Sequence, residues 1–339
     1  MQMDYDGLVV PYPVNRPLTD EERRRRLDVN VRLAAAPCDA GTVIRLSETE
    51  LELVDKYFAW KGAATLFVLP LLVMFVSGLS WSTWELASTH ATLPPEKTAG
   101  AVFFVCVVVV LGLPTVGLLA WLLMKEVLVL THYPMRLKRP GGWVHVHRPG
   151  RSSDVLRVRW KDVFWHVRHT RHKQFGGYSW CIAGHVMRDD GRTVRETFSF
   201  GCAGASPEEL HPLWEYVRRF MEEPSDAVPT ARVNLPIDGR REGFWWGAQT
   251  LLFTAPGHPA LTFLLLPALA PAAIVRWLCM LTNRVPTWPE ELETARSSMA
   301  SPRRQPIDRA RPWYVPVATA LAVGLIIDGL LLSWWWLAS

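Results

Sequence analysis

Residues 62–84 read GAATLFVLPLLVMFVSGLSWSTW and residues 98–124 read TAGAVFFVCVVVVLGLPTVGLLAWLLM, with no charged side chain in either. At about 1.5 Å per helical residue, each is long enough to cross a hydrocarbon layer of roughly 30 Å. A third apolar stretch, Pro312 to Ser339, is interrupted only by Asp328. Eleven Leu, Ile and Val residues lie between Val315 and Leu337. On the insertion scale they contribute about −3 to −6 kcal/mol, against about +3 kcal/mol for one aspartate. Insertion wins. The expected fold class is an integral membrane α-helical protein with three to four transmembrane helices and a cytoplasmic α+β domain.

The 339-residue chain is long enough for two ordinary domains, and its mean hydropathy of +0.08 conceals a partition. Apolar blocks alternate with segments rich in arginine. Of 17 tryptophans, Trp60, Trp81, Trp84, Trp121, Trp245, Trp246, Trp277, Trp313 and Trp334 to Trp336 lie in or beside the ends of apolar runs. Indole has an apolar body and one donor, so it favours the headgroup level. The five cysteines show no paired spacing and read as reduced thiols. Met1 to Asp20 is polar and proline-punctuated, without a signal-peptide core, so the first span is expected to act as the targeting signal.

Five segments follow from these patterns. Residues 1–56 read as a cytoplasmic N-terminal segment, in which Thr19 caps a helix running through four arginines to Leu27. Residues 57–130 form a membrane hairpin. Lys56 and Lys61 precede it and Lys125, Arg136, Lys138 and Arg139 follow it, while its short loop carries Lys97 against Glu85 and Glu96. The positive-inside rule therefore puts both flanks in the cytoplasm. Residues 131–224 read as a basic β-rich domain. Its strands are 135–139, 143–147, 155–160, 163–168, 179–188 and 193–200, separated by turns such as Pro149-Gly150-Arg151-Ser152 and Asp189-Asp190-Gly191. A helix starting at Ser206-Pro207 closes it, with Leu210, Leu213, Trp214, Val217 and Phe220 on one face.

Residues 225–312 are a linker, an apolar segment broken by Pro256, Pro259, Pro267 and Pro271, and an arginine-rich loop. A full crossing would put Arg284, Arg296, Arg303, Arg304, Arg309 and Arg311 outside, against the charge rule. A re-entrant or interfacial element is therefore expected, with full crossing of 260–281 as the alternative. Residues 313–339 are the last span.

Between His132 and Arg195 stand fourteen lysines and arginines against four aspartates. Such a surface beside a bilayer attracts anionic headgroups, and Arg157, Arg159, Arg168 and Arg171 are the candidate lipid- or phosphate-binding residues. The same cations interleave with Trp160, Phe164 and Trp165, but no nucleic-acid-binding motif accompanies them, so no nucleic-acid partner is expected. His166, His169 and His172 have a spacing that neutral imidazoles could use for a metal. Interleaved arginines repel a cation and a strand does not converge residues three apart, so a solvated face is expected and no metal or cofactor. Asp328 is the candidate intramembrane polar site, either an ion path or an interhelical contact beside Gly324 and Gly329. No Walker A, GxSxG, HExxH or dinucleotide fingerprint is present, and no enzyme activity is expected.

Strands closed by one C-terminal amphipathic helix resemble the pleckstrin-homology-like domains that bacteria attach to membrane helices. Tyr12-Pro13-Val14-Asn15-Arg16-Pro17-Leu18-Thr19 and Arg284-Val285-Pro286-Thr287-Trp288-Pro289-Glu290 resemble an uncharacterised proteobacterial membrane-protein family whose central region is a domain of unknown function. That resemblance implies a bacterial inner-membrane location and an accessory or immunity role beside a type VI secretion system. The implied partners are the lipid bilayer, anionic headgroups, and an effector or another membrane protein. The alternatives are a transporter or channel component using Asp328, and an anionic-lipid sensor.

Overall fold

The computed structural model describes residues 6–89, 94–148, 155–171, 178–229, 235–254, 259–297 and 314–338. Three helices are long and apolar enough to cross a bilayer: α2 (Ala63–Thr89), α3 (Pro95–Met124) and α8 (Tyr314–Ala338). Phe67, Met74, Trp81, Phe103, Val110, Leu331 and Trp336 are exposed on them. Surface of that kind belongs in lipid or against a partner, since water makes it costly.

The β module is two antiparallel meanders with one core between them. Its first sheet runs β2 (Val43–Leu46), β3 (Glu50–Leu53), β4 (Met135–Lys138), β5 (Trp143–His147) and β6 (Val155–Arg159), in that spatial order. The second runs β1 (Arg16–Pro17), β9 (Thr193–Gly204), β8 (Tyr178–Met187) and β7 (Val163–Arg171). Helix α4 (His211–Glu222) packs Leu213, Trp214, Val217 and Phe220 onto that core, where Trp214 stacks on Trp160 at 5.4 Å. Alternation explains the strands. Leu156 and Val158 turn inward while Arg157 and Arg159 face out, and Trp165 and Val167 are buried in the core.

The module reaches further back than residue 131. Strands β2 and β3 come from the N-terminal segment, and β3 pairs with β4 from Leu53↔Met135 to Glu50↔Lys138. The apolar hairpin α2–α3 is thus an insertion into the connection between two paired strands. Their pairing was hidden in the sequence because the partners stand some eighty residues apart.

Helix α1 (Asp20–Arg24) has the expected Thr19 cap and stops early, at Arg24 rather than Leu27. Beyond it Arg26 bridges His166 and the Leu27 amide donates to the Trp165 carbonyl at 2.8 Å, so the chain becomes a neighbour of β7. Residues 6–27 in this way strap the outer face of the second sheet. A second strap, residues 284–297 with helix α7 (Glu290–Ser297), covers the first sheet. Trp288 Nε1 donates to Glu52 at 2.9 Å, and Arg136 pairs with both Glu52 (3.0 Å) and Glu293 (3.1 Å).

Helices α5 (Phe244–Thr254) and α6 (Pro259–Thr282) follow the module, and the start of one is tied to the end of the other. Glu242, just before α5, pairs with Arg276 of α6, and Asn283 reaches Glu126 and Val129 after α3. The segment after α6 accordingly lies on the module. Helix α8 packs on α6 through Gly324, where an added Cβ would stand 2.6 Å from the Leu266 carbonyl oxygen. The expected turn at 149–152 and Arg303, Arg304, Arg309 and Arg311 lie outside the described residues.

Candidate functional site

The four arginines singled out from sequence do not form one cluster. Arg157 and Arg159 stand on edge strand β6 with their guanidinium carbons 4.0 and 3.9 Å from the Trp143 ring centre. Trp143 and Arg159 are paired at the end of the sheet opposite Leu53 and Met135, where the chain leaves for α2 and arrives from α3. Arg168 is on the other sheet, bound to Asp6 at 2.9 Å and 4.8 Å above Tyr12. Arg171 ends β7 opposite Tyr178. Asp328 is half-buried on α8, at helical spacing from Val317, Leu321 and Gly324.

Where helices meet module, a buried polar junction holds the chain together. A helix start leaves amide donors without intrahelical partners. For α2 the partner is Glu126, returning from α3. Its carboxylate accepts from the Gly62 amide (2.8 Å), the Thr65 amide (2.6 Å) and the Thr65 hydroxyl (2.7 Å). Arg276 forms a two-bond pair with Glu242 (2.7 and 3.0 Å) and donates to the carbonyls of Phe58, Ala59 and Lys61. Asn283 donates to the Glu126 carbonyl and accepts from the Val129 amide; Lys61 donates to the Leu130 carbonyl. Gly62 makes this approach possible. Its φ is +94°, and a Cβ there would stand 2.7 Å from the Arg276 Cα. Asp55 accepts from the amides of Tyr57, Phe58 and Tyr133, and burial pushes its carboxyl up. Charge beside an apolar run looks like an orientation signal in sequence, which is why Glu126 and Glu242 gave no sign of pairing inward.

The histidine run is not a solvated face. Because Trp165 and Val167 fill the core, His166 projects from the opposite side of β7, and there the N-terminal strap buries it. His185 on β8 lies diagonally across and stacks on it, ring centres 4.3 Å apart. Both rings are fully buried. His185 Nε2 is 3.1 Å from Glu22 Oε1 and its Nδ1 is 2.7 Å from the Thr197 hydroxyl. Neither nitrogen of His166 has a hydrogen-bond partner. Glu22 is held by Arg16 and by the Thr19 amide at 2.9 Å. Despite burial, hydrogen bonds from His185, Arg16 and the Thr19 amide keep its carboxyl well below the usual range. Burial, reinforced by His185, lowers His166 to about 3. Among the described residues, Glu22, His166 and His185 are the one group of histidines, cysteines and carboxylates close enough to share an ion. His172 of the predicted triplet lies outside the described residues. The reason the sequence misled is the strap: period-two alternation tells which face a residue takes, and nothing about what later covers that face.

A cleft of about 350 Å³ lies nearby, lined among others by Tyr12, Tyr57, Tyr133, His147, Arg148 and Ser199. Ser199 shares its hydroxyl with Tyr12 at 2.8 Å, and Arg148 is bound to Glu196 at 2.6 Å.

Residues 115–300 match a protein family described as a family of unknown function (DUF6708). The match covers the end of α3, the module from β4 onward, α5, α6 and the second strap. No curated protein matches the chain, and no solved structure does.

Proposed function

The chain belongs to the DUF6708 family, whose description assigns no activity, and we propose that it is a non-enzymatic, membrane-embedded binding protein. In this reading α2, α3 and α8 cross the bacterial inner membrane, and the β module with both straps lies in the cytoplasm. The observation that supports it most is the insertion of the apolar hairpin between paired strands β3 and β4, its feet tied by Glu126 and Arg276. A flexible tether would suffice to concentrate an enzyme at a membrane. Fixing a module's orientation matters when one face of it must be presented.

The surface assigned to that task is Trp143 with Arg157 and Arg159. At about 3.4 Å per residue, Trp143 stands about 10 Å along the strand from Val146, away from the helices. Attraction to headgroups decays within a Debye length of about 8 Å at physiological salt. An acidic protein surface therefore suits this patch better than the protein's own bilayer, and Arg168, already paired with Asp6, adds nothing to it. Planar arginines stacked on an indole are preorganised to grip carboxylates. The cellular form of this reading is an accessory or immunity protein that binds a secretion-system effector or another membrane protein.

Deleting the gene should sensitise cells to an effector encoded beside it, and the wild-type chain should restore survival. An R157E/R159E chain that remains in the membrane should fail to restore it. Unchanged survival of the deletion strain against every linked effector contradicts the immunity form. Full rescue by R157E/R159E contradicts the assigned surface.

A further inference from the structure

The strap that crosses the second sheet brings Glu22 against two imidazoles from neighbouring strands, and this arrangement has features that packing does not explain. A buried polar atom without a partner is destabilising, and His166 has two such atoms at a fully buried position. An apolar side chain would fill the space without that cost. We propose that Glu22, His166 and His185 form a binding site for a divalent first-row metal ion, with zinc as the best fit, that staples the N-terminal strap to strands β7 and β8.

The donor set suits the ion. Two imidazoles and one carboxylate are a common zinc combination, and the ligating form of histidine is the neutral one. Burial holds both rings in that form. The three donor atoms lie within 4.8 Å of one another. Ligands at about 2.0–2.1 Å from a tetrahedral zinc stand about 3.3 Å apart. His185 Nε2 and Glu22 Oε1, at 3.1 Å, already have that spacing, and rotation of the His166 ring closes the remainder.

Two of the three ligands, His185 and Glu22, also have supporting groups in place. Metal-bound imidazoles are oriented by a hydrogen bond at the second ring nitrogen, and ligating carboxylates are themselves hydrogen-bonded. The Thr197 hydroxyl contacts His185 Nδ1 at 2.7 Å and can accept as readily as it donates. When the ion arrives, the His185 proton resides on Nδ1 and faces Thr197, which leaves the Nε2 lone pair for the metal. No net proton need be released. Glu22 Oε2 is held by the Thr19 amide and by Arg16, so Oε1 is the ligating oxygen. Arg16 also contacts Oε1 and must yield that contact; this sets the affinity below that of a site without a neighbouring cation. Water completes the shell.

The test uses the full-length protein in detergent, stripped with a chelator and titrated with Zn²⁺ or with Co²⁺ as a spectroscopic probe. One ion should bind per chain, and Co²⁺ should give the visible d–d bands of a low-coordinate site. His166→Gln, His185→Gln and Glu22→Gln should each weaken binding by more than about tenfold, and Thr197→Val by about tenfold. His145→Gln, on the other sheet, should leave it unchanged. If a ligand variant fails to fold, the stripped wild type still decides: Zn²⁺ should raise its melting temperature, and less so in Thr197→Val. No stoichiometric binding by the wild type overturns the proposal. So does binding that survives both histidine substitutions.

Discussion

Two buried polar clusters, one at the foot of the helices and one under the N-terminal strap, are satisfied differently. At the foot of the helices, Arg276, Glu242, Glu126 and Asn283 meet one another or a backbone group at hydrogen-bond distance. Under the N-terminal strap, Glu22 and His185 are well supported while His166 has no partner at either nitrogen. The first cluster therefore reads as architecture, closed on itself. The second leaves two imidazole nitrogens unmet beside a carboxylate and a second imidazole. What sets the second cluster apart is that its unmet imidazole stands beside a carboxylate and a second imidazole within reach of one ion.

The cluster at the foot of the helices is most sensitive at Arg276. Arg276→Met leaves Glu242 buried without its partner and three carbonyls without their donor, and should cost about 3–5 kcal/mol. Adding Glu242→Leu to the same chain should recover most of that loss, because removing both charges removes the desolvation penalty. Thermal unfolding of the two variants in detergent measures the difference.

Acid acts next, and mainly through the module. Burial lowers His132 and His166 to about 3 and His145 and His147 to about 4. In the unfolded chain each titrates near 6.5. Above that pH both states are neutral and stability is unaffected. Below it the unfolded state takes up protons that the folded state refuses. Each histidine then removes about 1.4 kcal/mol of stability per pH unit, down to its own folded value. Melting temperature should fall steadily from pH 6.5 to 4. A flat profile over that range contradicts the buried placement of these rings.

Smaller effects separate the clusters further. Thr19→Ala removes the cap of α1 and should cost about 1 kcal/mol, loosening the strap without unfolding the sheets. In chelator, His166→Phe should be neutral or stabilising, since it replaces two orphaned ring nitrogens with an apolar ring of similar shape. A large loss of stability in metal-free His166→Phe would show that His166 is held by groups of the protein itself.

Much of this architecture is legible in the residues. The alternation of Leu156, Val158 and Trp160 with arginines, and turns such as Asp189-Asp190-Gly191, fix six strands of the module within a few positions. The cap at Thr19 was also readable, as were the three long apolar helices. Strands β2 and β3 were not: each is four residues long, and Glu50–Leu53 acquires meaning only when β4 arrives beyond the hairpin. The site was harder still. Arg168 looked like a surface cation until Asp6 was found beside it, and His166 looked solvated until the strap covered it. Both misreadings have one cause, the long-range return of the N-terminal segment, which no local pattern encodes.

In the proposed topology the apolar hairpin threads a bilayer and brings the chain back to the side from which it left. Single cysteines at Lys97, Arg157 and Glu291, placed in a chain lacking its native cysteines, test it by labelling with an impermeant reagent in intact spheroplasts. K97C should react from outside, while R157C and E291C should react only after the membrane is opened. Labelling of E291C from the same side as K97C would contradict it.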